Sequence, residues 1–178
     1  MMKTLPALFS GIMLALIIFL TGPTKAGSTI IDQSLFLNNE ISDSWRNFHI
    51  IDLGKPFNAG GILKRWEIIA NNENLVQLVI YRREGDKFIV VGRSEIETPQ
   101  EGYNQFELRN KLIDVKAGDF VGMYYPDQSS VSYSEDNNGT TLLTNSDAGG
   151  SNDAATSFTH ITNRHYAIRA IGGLKIFN

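Results

Sequence analysis

The chain predicts an all-β protein: an antiparallel β-sandwich, jelly-roll-like, of about nine or ten strands after an N-terminal signal peptide. Three observations lead there. Short runs rich in β-branched and aromatic residues recur at roughly 8–12-residue spacing. Gly, Asn, Asp and Pro fall between them, where turns are needed. No stretch beyond the leader carries the apolar period of a helix.

In chain order, the first element is the leader. Lys3 precedes the apolar run Ala7 to Leu20, and small residues follow at Thr24 and Ala26. That is the pattern of a secretory signal peptide cut after Ala26. The run is shorter than the roughly 20 residues of a bilayer span. The expected organisation is a signal peptide over 1–26, an extended lead-in over 27–46 and a sandwich domain over 47–178. Leu35, Leu37 and Trp45 would dock the lead-in on the sandwich.

Strands are expected at 47–53, 61–70, 75–83, 87–92, 103–108, 112–115, 120–125, 131–134, 156–162 and 165–172, with a short one in "TTLL". Over 61–70 the period of two places Ile62, Trp66 and Ile68 on one face. Turns are expected at Asn71-Asn72, Glu84 to Asp86, Pro99 to Gly102, Gly118-Asp119 and Asn137 to Gly139. "GDKFIVVG" and "GDFVG" read as two hairpins sharing turn chemistry. Gly118 is expected at positive φ, with Asp119 bonding its own turn. Gly122, inside a strand, predicts a bulge or a bulky side chain packed on bare backbone. Lys64-Arg65 and Arg82-Arg83 read as solvent-facing or edge charges.

Composition narrows the function. Without the leader, 14 Lys and Arg face 19 Asp and Glu, a net charge of −5. That disfavours nucleic acid and anionic membrane surfaces as partners. The absence of cysteine excludes a thiol nucleophile and thiolate metal sites, and leaves an exported domain to stand on its core alone.

The succession "GGILKRWEIIA", "LVQLVIYRREGDKFIVVGRS", "GYNQF" and "DVKAGDFVGMYYP" resembles a secreted all-β domain of uncharacterised marine-invertebrate extracellular proteins, similar to those of coral skeletal organic matrix. The resemblance implies a β-sandwich in a secreted matrix or adhesion setting. It brings no catalytic or binding residues with it.

Catalytic motifs are sparse. Gly92-Arg93-Ser94-Glu95-Ile96 breaks the nucleophile elbow at its last position, and there is no zinc-protease or phosphate-loop motif. Glu95 and Glu97 share one face of an extended segment and read as a solvated edge rather than a glycosidase pair. His160 and His165 could meet across "ITNR" but read as sheet-face residues, like His49. The polar stretch 134–156 collects oxygen ligands of the kind calcium prefers, with Asp136, Asp147 and Asp153 as candidate metal ligands. Its spacing is not that of an EF-hand. Asn138 opens the glycosylation sequon Asn138-Gly139-Thr140.

The function expected is that of a non-catalytic, secreted structural or interaction component of extracellular matrix, mineralised skeletal matrix included. Its partners would be matrix proteins, glycans or a mineral surface. A lectin-like module is the alternative, with Tyr124, Tyr125 and Tyr133 as candidate ligand-binding aromatics. A small glycosidase is the third reading.

Overall fold

The computed structural model describes residues 28–30, 41–135, 141–144, 158 and 160–174, and among these it forms strands and no helix. One sheet runs β1 (Ser28–Ile30), β13 (Ile168–Leu174), β3 (Gly61–Ala70) and β6 (Gly102–Glu107), with β7 (Ile113–Val115) pairing along β3 beyond β6. The facing sheet runs β11 (His160–Thr162), β10 (Thr141–Thr144), β2 (Phe48–Pro56), β8 (Phe120–Tyr125), β4 (Gln77–Glu84) and β5 (Lys87–Arg93). A two-stranded ribbon joins β9 (Tyr133–Glu135) to β12 (Arg164–Tyr166). Every pairing is antiparallel.

The order β1-β13-β3-β6 opposite β2-β8-β4-β5 is the nested double Greek key of a jelly roll. The chain switches sheets after β1, β2, β3, β5, β7 and β8. It returns to set β13 between β1 and β3. The segment from β9 to β12 is inserted before that return, and β10–β11 widen the second sheet past β2.

The lead-in is therefore not wholly irregular. Ser28–Ile30 pairs with β13, and Trp45 packs on the core, edge-to-face with Phe48 at 6.2 Å. Leu35 and Leu37 lie outside the described residues. The expected strand at 165–172 breaks at Ala167 into β12 and β13, which belong to different sheets.

Between the sheets lies one apolar core that includes Phe48, Ile50, Leu63, Trp66, Ile68, Leu78, Ile80, Val121, Met123 and Tyr125. Each such side chain contributes about 1.5–3 kcal/mol on burial. The two-residue period fails in β3. Arg65 pairs with Ile171 and Leu63 with Gly172, so Lys64 is an extra residue in the ladder. This bulge puts Leu63, rather than Ile62, on the core face with Trp66.

The Gly-Asp turns take two forms. Gly85, at φ 62°, makes the tight β4–β5 hairpin. Gly118, at φ 87°, turns a corner between sheets, because β7 and β8 do not pair. There the Asp119 amide donates to the Lys116 carbonyl at 3.1 Å. The buried Asp119 carboxylate accepts from the Lys116 amide at 2.7 Å and from Arg82 Nε and NH2 at 2.7 Å each. Arg82 is thus half of a bidentate ion pair rather than an edge charge. Arg83 is exposed, as expected.

Gly122 resolves to the second of its two expected forms. The Tyr81 ring lies on it, and a Cβ there would meet the Ile50 carbonyl and stand 2.6 Å from the ring. Tyr81 belongs to a second apolar cluster, with Ile51, Val79, Phe88 and Val90, on the sheet face turned away from the core. Phe158 packs on this cluster, edge-to-face with Tyr81 at 5.6 Å.

Candidate functional site

A cleft of about 360 Å³ opens where the free edges of the two sheets come together. One wall is the segment after β5, with Ser94, Glu95 and Glu97. The other is the end of β6 and the turn beyond it: Gln105, Glu107, Arg109, Asn110 and Lys111. Phe106 and Leu108 supply its apolar lining.

Both walls are fixed by backbone bonds. Glu97 and Val76 exchange hydrogen bonds of 2.8 and 3.0 Å, which dock the first wall on the start of β4. The Ser94 hydroxyl accepts from the Leu78 amide at 3.0 Å and donates to the Glu95 carbonyl at 2.6 Å. Gln77 Nε2 donates to the Ser94 carbonyl at 2.8 Å. On the other side, the Leu108 amide donates to the Lys64 carbonyl at 2.7 Å, just at the bulge of β3. Phe106 rests on the core residue Trp66, with ring centres 4.7 Å apart.

The polar groups carry both signs. Glu95 and Glu97 line one wall, and Glu107, Arg109 and Lys111 the other. Partial burial, and then the charge of Glu95, push the Glu97 carboxyl above its ordinary range. Gln105 Nε2 donates to Glu107 Oε1 at 3.0 Å, which orients that carboxylate. No three carboxylates or imidazoles among the described residues stand close enough to hold a metal ion together. The chemistry offered is therefore donors and acceptors of both kinds beside an aromatic ring, suited to a ligand that presents adjacent hydroxyls.

The residues singled out from sequence fall elsewhere. Tyr125 is fully buried, stacked on Phe48 at 4.9 Å, with its hydroxyl directed to Met123 Sδ at 3.1 Å. Tyr133 is 8% exposed, packed on Tyr166 and capped by the Arg164 guanidinium 4.4 Å from its ring centre. Neither presents a ring face to a ligand, because both side chains fall on the inward phase of their strands. Tyr124 is half-buried on the opposite sheet face, stacked on His49 at 4.6 Å and donating to Asn47 Oδ1 at 2.8 Å. The three tyrosines therefore do not form one site.

Asp136, Asp147, Asp153 and Asn138 lie outside the described residues. His49 is buried and bonded to the Tyr81 hydroxyl at 2.6 Å. His165 stands 4.0 Å from the buried Asp52, on a different sheet from His160. Glu95 and Glu97 lie at an edge, as expected, but an edge that forms one wall of the cleft. Gln105, Phe106, Glu107, Arg109, Asn110 and Lys111 were not singled out from sequence. Their one local signal is the polar run Arg109-Asn110-Lys111 directly after an alternating strand.

Comparison with models of known protein families, with curated proteins and with solved structures finds no match for this chain.

Proposed function

We propose that this protein is an exported, non-catalytic interaction module that binds a glycan in the cleft between residues 94–97 and 105–111. The observation that carries the reading is the cleft itself: about 360 Å³, tied to β4 and β3 by backbone hydrogen bonds, with carboxylates, amides and cations beside Phe106. Vicinal hydroxyls suit such a mixed set, since each can donate to a carboxylate and accept from a guanidinium or amide. An apolar ring face complements the C–H side of a sugar. Fixed walls reduce the ordering cost of binding. This gives the extracellular interaction role expected from sequence a definite surface.

The test is a glycan array with the wild-type protein, Arg109→Ala and Glu97→Gln, followed by calorimetry on the best glycan. Affinity at least tenfold weaker in both variants, at unchanged melting temperature, supports the reading. Absence of glycan binding, or binding indifferent to both changes, overturns it.

A second reading is a glycosidase. Glu97, with its raised carboxyl, stands across the cleft from Glu107, and glycosidases pair a protonated with an ionised carboxyl. Turnover of chromogenic glycosides that disappears in Glu97→Gln would favour this reading over simple binding.

A further inference from the structure

The part-buried arginines described on this sandwich pair with acids, and the buried Arg93 does not. Arg82 meets Asp119 and Arg169 meets Glu67, in both cases through the Nε and NH2 edge of the guanidinium. Arg164 bonds Asp43, and Arg65 approaches Glu67 at 3.5 Å. Arg93 is more deeply buried than any of these, 7% exposed, yet among the described residues it meets no carboxylate. Its NH1 donates to Gln77 Oε1 at 3.3 Å, while Nε and NH2 make no hydrogen bond.

Among the described residues, no carboxylate bonds this guanidinium. Arg93 pairs with Val79 on the outward face of the six-stranded sheet. The polar side chains described nearest it on this face are Gln77, Tyr81, His49 and Tyr124, in cross-strand or diagonal register with one another, and farther along stands a second cation, Arg83, across from Phe88. His49 is buried, with Nδ1 bonded to the Tyr81 hydroxyl and Nε2 unpartnered. The phenol is the natural donor to a neutral imidazole, which assigns the ring proton to Nε2. Among the described residues the cluster thus holds buried, unused N–H donors, one full positive charge and no negative group. A desolvated guanidinium in that setting is costly unless an anion joins it.

We propose that the Nε and NH2 edge of Arg93 is a binding site for a carboxylate, set on the outward face of the six-stranded sheet. The two parallel N–H groups match the two oxygens of a carboxylate. Arg82 displays the same edge engaged in that way, at 2.7 Å to each oxygen of Asp119. The site is separate from the cleft and does not depend on the glycan reading.

The probe is sodium acetate, titrated into the full chain against sodium chloride and sodium sulfate at matched ionic strength. The readout is the Arg93 Nε–H resonance in nitrogen-15 spectra, with melting temperature in parallel. A saturable shift of that resonance with acetate, and a rise in melting temperature that Arg93→Met abolishes, is the expected result. Arg93→Lys keeps the charge without the fork and is expected to lose the acetate effect too, which covers a methionine variant that fails to fold. No saturable movement with acetate, or equal movement with sulfate or chloride, would overturn the proposal.

Discussion

Replacing Asp119 by alanine probes the corner that joins β7 to β8. The carboxylate is 1% exposed and accepts three hydrogen bonds of 2.7 Å, two from Arg82 and one from the Lys116 amide. Its own main chain holds Phe57, whose amide donates to the Asp119 carbonyl at 2.8 Å. Breaking a buried ion pair from one side costs about 3–5 kcal/mol. The Arg82 side chain is 27% exposed and can recover part of its hydration, which places the cost near the lower end, about 3 kcal/mol. Asp119→Asn keeps the shape and one acceptor, and is expected to cost about 1–2 kcal/mol. Urea unfolding of wild type, both variants and Arg82→Met/Asp119→Ala measures these values and the coupling between the partners. The double variant should lose less than the sum of the singles, because it leaves no stranded guanidinium. A cost below about 1 kcal/mol for Asp119→Ala would refute the view that this pair holds the corner.

The other predictions concern backbone and pH. At Gly118 a Cβ would meet nothing within 4 Å, so the cost of substitution is conformational alone; Gly118→Val should lose about 1–3 kcal/mol and Gly118→Asn clearly less, as read by thermal melting. Gly122→Ala must displace the Tyr81 ring or the Ile50 carbonyl, costing about 1–3 kcal/mol, and should shift the nuclear magnetic resonance signals of His49, the hydrogen-bond partner of Tyr81. Burial, and then the charge of Arg93, lower the His49 pKa from the ordinary 6.5 to about 4. The unfolded chain takes up this proton first as pH falls, so about 3 kcal/mol of stability present above pH 6.5 should be lost progressively down to about pH 4. Urea titrations across that window should show the slope in wild type and a shallower one in His49→Gln.

Much of the sandwich was legible because turns and strands are written locally. Gly85 and Gly118 announce positive φ where the chain reverses, and β3 and β8 match their β-branched and aromatic runs residue for residue. Phase was harder to read. Phe120 to Tyr125 is apolar on both faces, since the second sheet buries an outer cluster as well as the core, so alternation could not say that Tyr125 points in and Tyr124 out. The bulge at Lys64 was hidden for a related reason: one extra residue shifts the face, and nothing in "GILKRWE" marks it. Arg82 read as a surface charge because its partner lies 37 residues away. The cleft was invisible because its two walls come from different sheets. Only the jelly-roll crossing brings Glu97 opposite Arg109.

Backbone amide shift mapping of the labelled protein with the glycan that binds best is the most direct measurement of the proposed function. The account predicts perturbations concentrated in residues 94–97 and 105–111, with the side-chain amides of Gln105 and Asn110 among the largest. Perturbations centred on the Tyr124 face, or spread without a focus while the cleft signals stay fixed, would contradict it.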